Sequence, residues 1–140
     1  MQIHASCAAR GGAGVLLLGP SGTGKSDLLF RLLDHGFTLV ADDRVEVENG
    51  LAWAPTELAG LLEVRGIGIV RVPCTAQARL ALAVDLAARP ERLPQPARHA
   101  ETGLPLVALD PQCPSAPARV ALALACALGH VAMQAGAFAA

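Results

Sequence analysis

The sequence lacks several features that would assign the chain to a functional class at once. Its four cysteines lie far apart with no C-x-x-C pair, which argues against a zinc site or a disulfide framework and favours reduced thiols. The formal net charge is -1, so the basic excess typical of nucleic-acid-binding proteins is absent. No apolar run of signal-peptide length is visible, and no internal repeat or low-complexity linker appears. We therefore expect a cytoplasmic protein that binds no nucleic acid and recognises its partners by local chemistry.

The composition predicts a single globular domain spanning residues 1–140, because 53% of the residues are hydrophobic and 16% are charged. One stretch, 120–140, has no formally charged residue and is long enough to span a bilayer. It consists largely of alanine and carries His130, Gln134 and two glycines, which disfavour a membrane span. We predict instead a C-terminal helix that begins at Ser115 and packs on the core, with no membrane partner.

Residues 19–26 read GPSGTGKS, a Walker A pattern in which glycines let backbone N–H groups point at phosphate oxygens. In this pattern Lys25 neutralises charge on the β- and γ-phosphates, and the Ser26 hydroxyl ligates Mg²⁺. The loop follows an apolar strand at 15–18 and precedes leucines at helical spacing, as a phosphate-binding loop requires. The predicted phosphate-binding residues are Gly19, Pro20, Ser21, Gly22, Thr23, Gly24, Lys25 and Ser26.

The segments around this loop predict an α/β fold with a mixed β-sheet, the Walker A loop between a strand and a helix, and a C-terminal helix. Residues 3–7 and 15–18 form a hairpin, and 37–43 is a buried parallel strand that completes a βαβ unit. A second hairpin turns at residues 49–50. Residues 61–72 are predicted as one strand with a bulge or a close approach to a ligand, and further strands are 79–86 and 105–110, separated by a loop.

Asp42 and Asp43 end the strand after the Walker A helix, at the sheet edge where α/β folds bind ligands. One of them could hold Mg²⁺ while the other accepts a proton, and a solvated turn is the simpler alternative. A third cluster, EVRGIGIVR, places Glu63, Arg65 and Arg71 in an otherwise apolar segment. An internal ion pair on a surface strand explains these charges as well as a ligand does.

The segments GPSGTGKS, LVADDRV and above all LLEVRGIGIV together resemble the catalytic domain of bacterial HPr kinase/phosphorylase, in a short form with that domain alone. This resemblance is continuous from about residue 4 to residue 71. It implies an ATP- and Mg²⁺-dependent protein serine kinase acting on HPr, the phosphocarrier of the sugar phosphotransferase system. It also implies a homo-oligomer, a hexamer in the family. The family's basic loop for phosphorolysis has no counterpart here, and its long C-terminal helices are reduced to one alanine-rich segment, so neither phosphorylase activity nor a hexamer is assumed.

The resemblance also implies roles for individual residues. The positions of the family's active-site residues fall on His4, Lys25, the acid/base Asp43 and Arg92, and its magnesium ligands fall on Ser26 and Glu63. The segment that serves both reactions falls on residues 62–71. In the leading hypothesis Asp42 helps to position Mg²⁺, and charge on the transferred phosphoryl group is stabilised by Arg65, Arg71 or Arg92.

Two other functions are compatible with the same loop. A kinase of a small metabolite uses the same chemistry, since a Walker A loop does not choose the acceptor. Such an enzyme usually needs a lid and an acceptor domain, for which this chain has little room. A non-catalytic ATP-binding regulator is the alternative from another class, and ATP binding without turnover would favour it.

Overall fold

The computed structural model describes residues 1–139, and the elements below are those of this range. They are, in chain order, β1 (Gln2–Arg10), β2 (Ala13–Leu18), α1 (Lys25–Leu33), β3 (Thr38–Ala41), β4 (Arg44–Glu48), β5 (Leu51–Trp53), a 3-10 turn (Thr56–Leu58), β6 (Leu61–Val64), β7 (Gly68–Arg71), β8 (Ala78–Asp85), β9 (Ala97–Arg98), β10 (Pro105–Ala108) and α2 (Ala116–Ala127). The mixed α/β architecture with a helix after the glycine-rich loop is the one that the sequence predicts.

Strand β1 is the strand around which the first half of the chain is arranged. It pairs with β2 as the predicted antiparallel hairpin, closed by a turn at Gly11 and Gly12. Its other edge pairs antiparallel with β4 near its start and with β3 near its end. Strands β2 and β3 are both antiparallel to β1, so they run in the same direction on either side of it. Strand β3 is buried and runs parallel to β2 as predicted, but it does not pair with β2 because β1 lies between them.

The second half of the sheet brings the carboxyl ends of parallel strands to one edge. Strand β8 pairs in parallel with β2 on one side and with β10 on the other. The start of β8 also pairs with β5, and β5 pairs with β4 in the predicted second hairpin. The pairings through β2, β1, β4, β5 and β8 therefore close into a ring. Strands β2, β8 and β10 all end at the edge where the glycine-rich loop begins.

Two apolar cores fill the two sides of this sheet. Leucines of α1 and α2, among them Leu28, Leu32 and Leu124, pack on one side against β2 and β8. The other side is built from smaller residues of β1, β3, β4 and β8. A register shift opposite Ala81 changes the face to which β8 side chains point, so Leu80 and Leu82 belong to different cores. The alternation of side chains between the two faces of the sheet is therefore interrupted within β8, although the sequence alone predicts a regular strand.

The segment 61–72 differs from its prediction. It is an antiparallel hairpin of β6 and β7 in a separate two-stranded sheet, and not one bulged strand. The chain reverses at residues 65–67, where Gly66 has a φ of 87°, a conformation that glycine adopts without steric cost. Leu62 joins the core beneath α1, whereas Ile67 and Ile69 are 77% and 71% exposed. Gly66 thus lies in the turn, and Gly68 follows the turn as the first residue of β7.

The C-terminal helix is shorter than the uncharged stretch that predicted it. Helix α2 begins after Ser115 as predicted and ends at Ala127. The His130 N–H donates to the Ala125 carbonyl and Gly129 has a φ of 78°, which is the geometry that terminates helices at a glycine. Within residues 1–139 no helix is long and apolar enough to cross a membrane. Of the predicted stretch 120–140, Ala140 lies outside the described residues.

Candidate active site

The glycine-rich loop connects β2 to α1 at the carboxyl edge of the parallel strands. Gly19 has a φ of 150°, and a Cβ atom added there would lie 2.7 Å from the Thr23 hydroxyl oxygen. Thr23 in turn donates from both its N–H and its hydroxyl to the Pro20 carbonyl, at 3.2 and 2.8 Å. The loop is therefore too tight for a side chain at Gly19, and it turns directly into the N-terminus of a helix, which favours anions.

Lys25 is the only lysine of the chain, and its side chain is 5% exposed. Its ammonium group donates to the carbonyls of Gly19 and Pro20, at 2.7 and 3.1 Å. A buried ammonium group needs hydrogen-bond acceptors, and here the loop provides them from its own backbone. The positive charge is consequently held at the mouth of the loop.

Asp42 follows β3 and accepts hydrogen bonds from residues of three other parts of the fold. The Ser26 hydroxyl at the start of α1 donates to Asp42 Oδ1 at 2.7 Å, and the Ser6 hydroxyl on β1 donates to the same oxygen at 3.0 Å. The backbone N–H of Glu63 on β6 lies 3.5 Å from Asp42 Oδ2. This carboxylate joins the helix, the central strand and the separate hairpin.

Asp43 points into a different environment, where it pairs with His4. The Nε2 atom of His4 lies 2.7 Å from Asp43 Oδ1, and the two side chains are 47% and 61% exposed. Asp43 has a φ of 70°, an unusual value for a non-glycine residue and one that often marks functional sites. Backbone bonds from Ala5 N–H to the Asp43 carbonyl and from Asp43 N–H to the Ser6 hydroxyl hold it there.

Comparison with known proteins identifies the family of the chain. The family model described as HPr Serine kinase C-terminal domain matches residues 1–89, which is more than half of the chain. The chain belongs to this family.

Similar proteins are found within the family and among solved structures. The HPr kinase/phosphorylases of Lactobacillus delbrueckii subsp. bulgaricus and Streptococcus thermophilus are each 50% identical to the chain over 66 residues, 44% of the chain. The aligned region spans only 21% of the length of these relatives. The solved structure of the HPr(Ser) kinase/phosphatase from Coxiella burnetii matches with a TM-score of 0.68 at 23% identity, covering 86% of both chains. This last match supports the fold.

The residues of this family member provide a ligand set that suits Mg²⁺. The Ser26 hydroxyl uses its single proton toward Asp42, so the lone pairs of its oxygen remain available to a cation. Asp42 and the exposed Glu63 add carboxylates nearby, and hydroxyl and carboxylate oxygens are ligands that Mg²⁺ accepts together with phosphate oxygens and water. Within residues 1–139 no three His, Cys, Asp or Glu residues form a ready-made metal cluster.

The predicted arginines form no bond with these groups. Arg65 lies at the turn of the β6–β7 hairpin and Arg92 in the loop after β8; both are exposed. Neither side chain forms a hydrogen bond or ion pair with any residue in the described range. Arg71 instead donates to the Ala59 carbonyl at 2.9 Å. The alternative of an internal ion pair between Glu63 and Arg65 or Arg71 is absent from residues 1–139.

The structure adds two features that the sequence analysis did not identify. One is Ser6, whose only signal in the sequence is a hydroxyl within the apolar stretch of β1. The other is a surface groove of about 430 Å³ between the loops 86–90 and 109–111. Pro111 and Gln112 lie against Gly24, and Arg31 of α1 donates to the Pro111 carbonyl. The groove thus adjoins the phosphate-binding loop, a position that no motif marks.

Proposed function

We propose that this family member is an ATP- and Mg²⁺-dependent protein serine kinase whose acceptor is a phosphocarrier of the HPr type in the cytoplasm. The observation that carries the proposal is the juxtaposition of two aspartates with different partners. Asp42 is bound to the serine of the Walker A loop, and Asp43 is bound to His4 beside it. The names of the relatives support the acceptor, since they are HPr kinase/phosphorylases.

The loop would hold the triphosphate of ATP. Its backbone N–H groups and the N-terminus of α1 favour phosphate oxygens, and Lys25 adds a full positive charge. The Lys25 ammonium already has two oxygen partners, the carbonyls of Gly19 and Pro20. Phosphate oxygens can replace these acceptors without leaving the ammonium group unpaired. Ser26 and Glu63, with Asp42 beside them, would hold Mg²⁺, which neutralises charge on the phosphates during transfer.

Asp43 would orient the seryl hydroxyl of the acceptor and take its proton. His4 occupies only Oδ1, so the other carboxylate oxygen is free to accept a hydrogen bond. Both side chains are about half exposed, which suits a hydroxyl presented on the surface of another protein. The hydrogen bond from His4 fixes the orientation of the carboxylate before the acceptor arrives, as general base catalysis requires. Arg65 and Arg92 would then approach the transferred phosphoryl group from the exposed side.

The direct test is transfer from radiolabelled ATP to purified HPr, followed by identification of phosphoserine. We expect Mg²⁺-dependent labelling of HPr by the wild-type protein. A folded sample that binds ATP and labels no phosphocarrier would contradict the proposal and favour a nucleotide-binding regulator. Transfer to a small hydroxyl compound and not to HPr would favour a metabolite kinase. Incubation of phosphorylated HPr with inorganic phosphate tests the reverse reaction in the same samples.

A further inference from the structure

Ser6 occupies an unusual position for a hydroxyl group. Its side chain is completely buried on β1, and among residues 1–139 the only other buried polar or charged side chain is Lys25. Its neighbours Ala5, Cys7 and Ala8 are completely buried apolar residues. A hydroxyl in such surroundings destabilises the fold unless hydrogen bonds satisfy it. Both of its hydrogen bonds go to the pair of aspartates.

In its two hydrogen bonds the Ser6 hydroxyl acts once as a donor and once as an acceptor. Its proton is donated to Asp42 Oδ1 at 3.0 Å, and its oxygen accepts the backbone N–H of Asp43 at 3.3 Å. One hydroxyl thereby fixes the side chain of the first aspartate and the backbone of the second. The same Asp42 oxygen accepts the Ser26 hydroxyl at 2.7 Å, so Ser6 also restricts where the Ser26 oxygen can lie.

We propose that Ser6 is a positioning residue that couples the two aspartates, setting Asp42 and Ser26 for the cation and Asp43 for the acceptor hydroxyl. This inference rests on the proposed function for its catalytic meaning, whereas the coupling itself is a property of the unliganded chain. Without the Ser6 hydroxyl, Asp42 Oδ1 retains only the donor from Ser26. The Asp43 N–H loses its acceptor within β1, although the Ala5 N–H still donates to the Asp43 carbonyl.

The first measurement is amide hydrogen exchange in Ser6→Ala without any ligand. We expect exchange at Asp43 to accelerate about tenfold, the effect of one lost hydrogen bond. The amide of Arg44, which donates to the Asp42 carbonyl at 2.8 Å, is the internal control and should not change. Unchanged exchange at Asp43, or equal acceleration at Arg44, would overturn the coupling. This result does not depend on whether the protein transfers phosphate.

The second measurement is the affinity for a fluorescent ATP analogue with Mg²⁺ and with chelator. In Ser6→Ala the enhancement by Mg²⁺ should fall about tenfold, with little change in chelator, and Ser6→Thr should restore it. A purely structural role would lower both affinities equally and so contradict the proposal. Thr75→Ala removes a hydroxyl bonded to the Gln77 carbonyl elsewhere and serves as the matched control. If Ser6→Ala does not fold, Ser6→Cys replaces it.

The two proposals fail separately. Absence of phosphate transfer to HPr by the wild-type protein would overturn the proposed function while the exchange experiment still decides the coupling. Normal transfer by the wild-type protein together with an unchanged Mg²⁺ enhancement in Ser6→Ala would overturn the role of Ser6 alone.

Discussion

The candidate site has two parts that differ in how firmly the fold holds them. The anchored group consists of Lys25, Ser26, Asp42, Asp43 and His4, each of which is hydrogen-bonded within the protein. The open group consists of Arg65 and Arg92, which are exposed and form no such bond within residues 1–139. The anchored group is ready before any ligand arrives, whereas the open group must be placed by a ligand or by a movement of its loops. Preorganised groups contribute most to catalysis, so the anchored group should dominate the effects of mutation.

The largest effect should come from Asp43, because a general base stabilises the transition state of the transfer step and not the bound substrates. Asp43→Asn keeps the shape of the side chain and its acceptor oxygen but cannot take the proton. We expect kcat for transfer to HPr to fall about 10²–10⁴-fold with unchanged affinity for ATP. Asp34→Asn, an exposed aspartate at the end of α1, is the matched control. Full transfer by Asp43→Asn would remove Asp43 from the role of base and direct attention to Asp42.

The next effect should come from Lys25, the charged member of the anchored group that would touch phosphate. Lys25→Met should lower transfer about 10²–10³-fold, as expected when one preorganised electrostatic partner is removed. The affinity of Lys25→Met for ATP should also fall, because the ammonium group would contact the β- and γ-phosphates. Wild-type transfer together with wild-type affinity for ATP in Lys25→Met would place the triphosphate elsewhere.

His4 tests whether the orientation of Asp43 contributes to catalysis. His4→Ala removes a hydrogen bond to a carboxylate, which corresponds to a loss in kcat of between about tenfold and a hundredfold. The affinity for ATP should not change, since His4 contacts only Asp43 within the site. His130→Ala removes an exposed histidine from the turn after α2 and is the control. Loss of ATP affinity in His4→Ala alone would mean that His4 belongs to the phosphate-binding part.

The open group should show smaller effects, because two arginines share its role and neither is held in place. We expect Arg65→Ala and Arg92→Ala each to lower kcat/KM for HPr by less than about fivefold, the effect of a charge that is solvent-exposed before binding. Arg79→Ala, at the opposite end of β8 from the site, is the control. A loss beyond about a thousandfold in either variant would place that arginine in the anchored group, since that is the effect of an arginine held on the phosphoryl group.

The difference between the two groups also explains what could be predicted from the sequence. The Walker A loop depends on local geometry, so GPSGTGKS and the leucines of α1 predict its position without tertiary information. The convergence of Asp42 on Ser26 follows from the rule that parallel strands share an edge. His4 entered the site through the resemblance alone, and its hydrogen bond with Asp43 was not predicted, because 39 residues separate the two in the chain.

Other features depend on long-range packing that no local pattern records. The insertion of β1 between β2 and β3 decides which side chains meet, and with it the burial of Ser6 beside both aspartates. The hairpin at 61–71 was predicted as one strand because Gly66 and Gly68 fit a bulge as well as a turn. The length of α2 is set by Gly129, a residue that an alanine-rich helix tolerates at a modest cost.

The smallest effect concerns the stability of β1, the strand that carries His4 and Ser6. Burial raises the pKa of the Cys7 thiol to about 12 from an ordinary 9.0. The unfolded chain therefore releases this proton first as the pH rises, and the stability that the neutral thiol confers is complete below pH 9 and lost toward pH 12. At pH 10 the free energy of unfolding should be lower by about 1 kcal/mol than at pH 8. Urea unfolding at both pH values should show this decrease in the wild-type protein. In Cys7→Ala the free energy of unfolding should change less between pH 8 and pH 10. An equal change in both proteins would mean that the strand opens before Cys7 ionises.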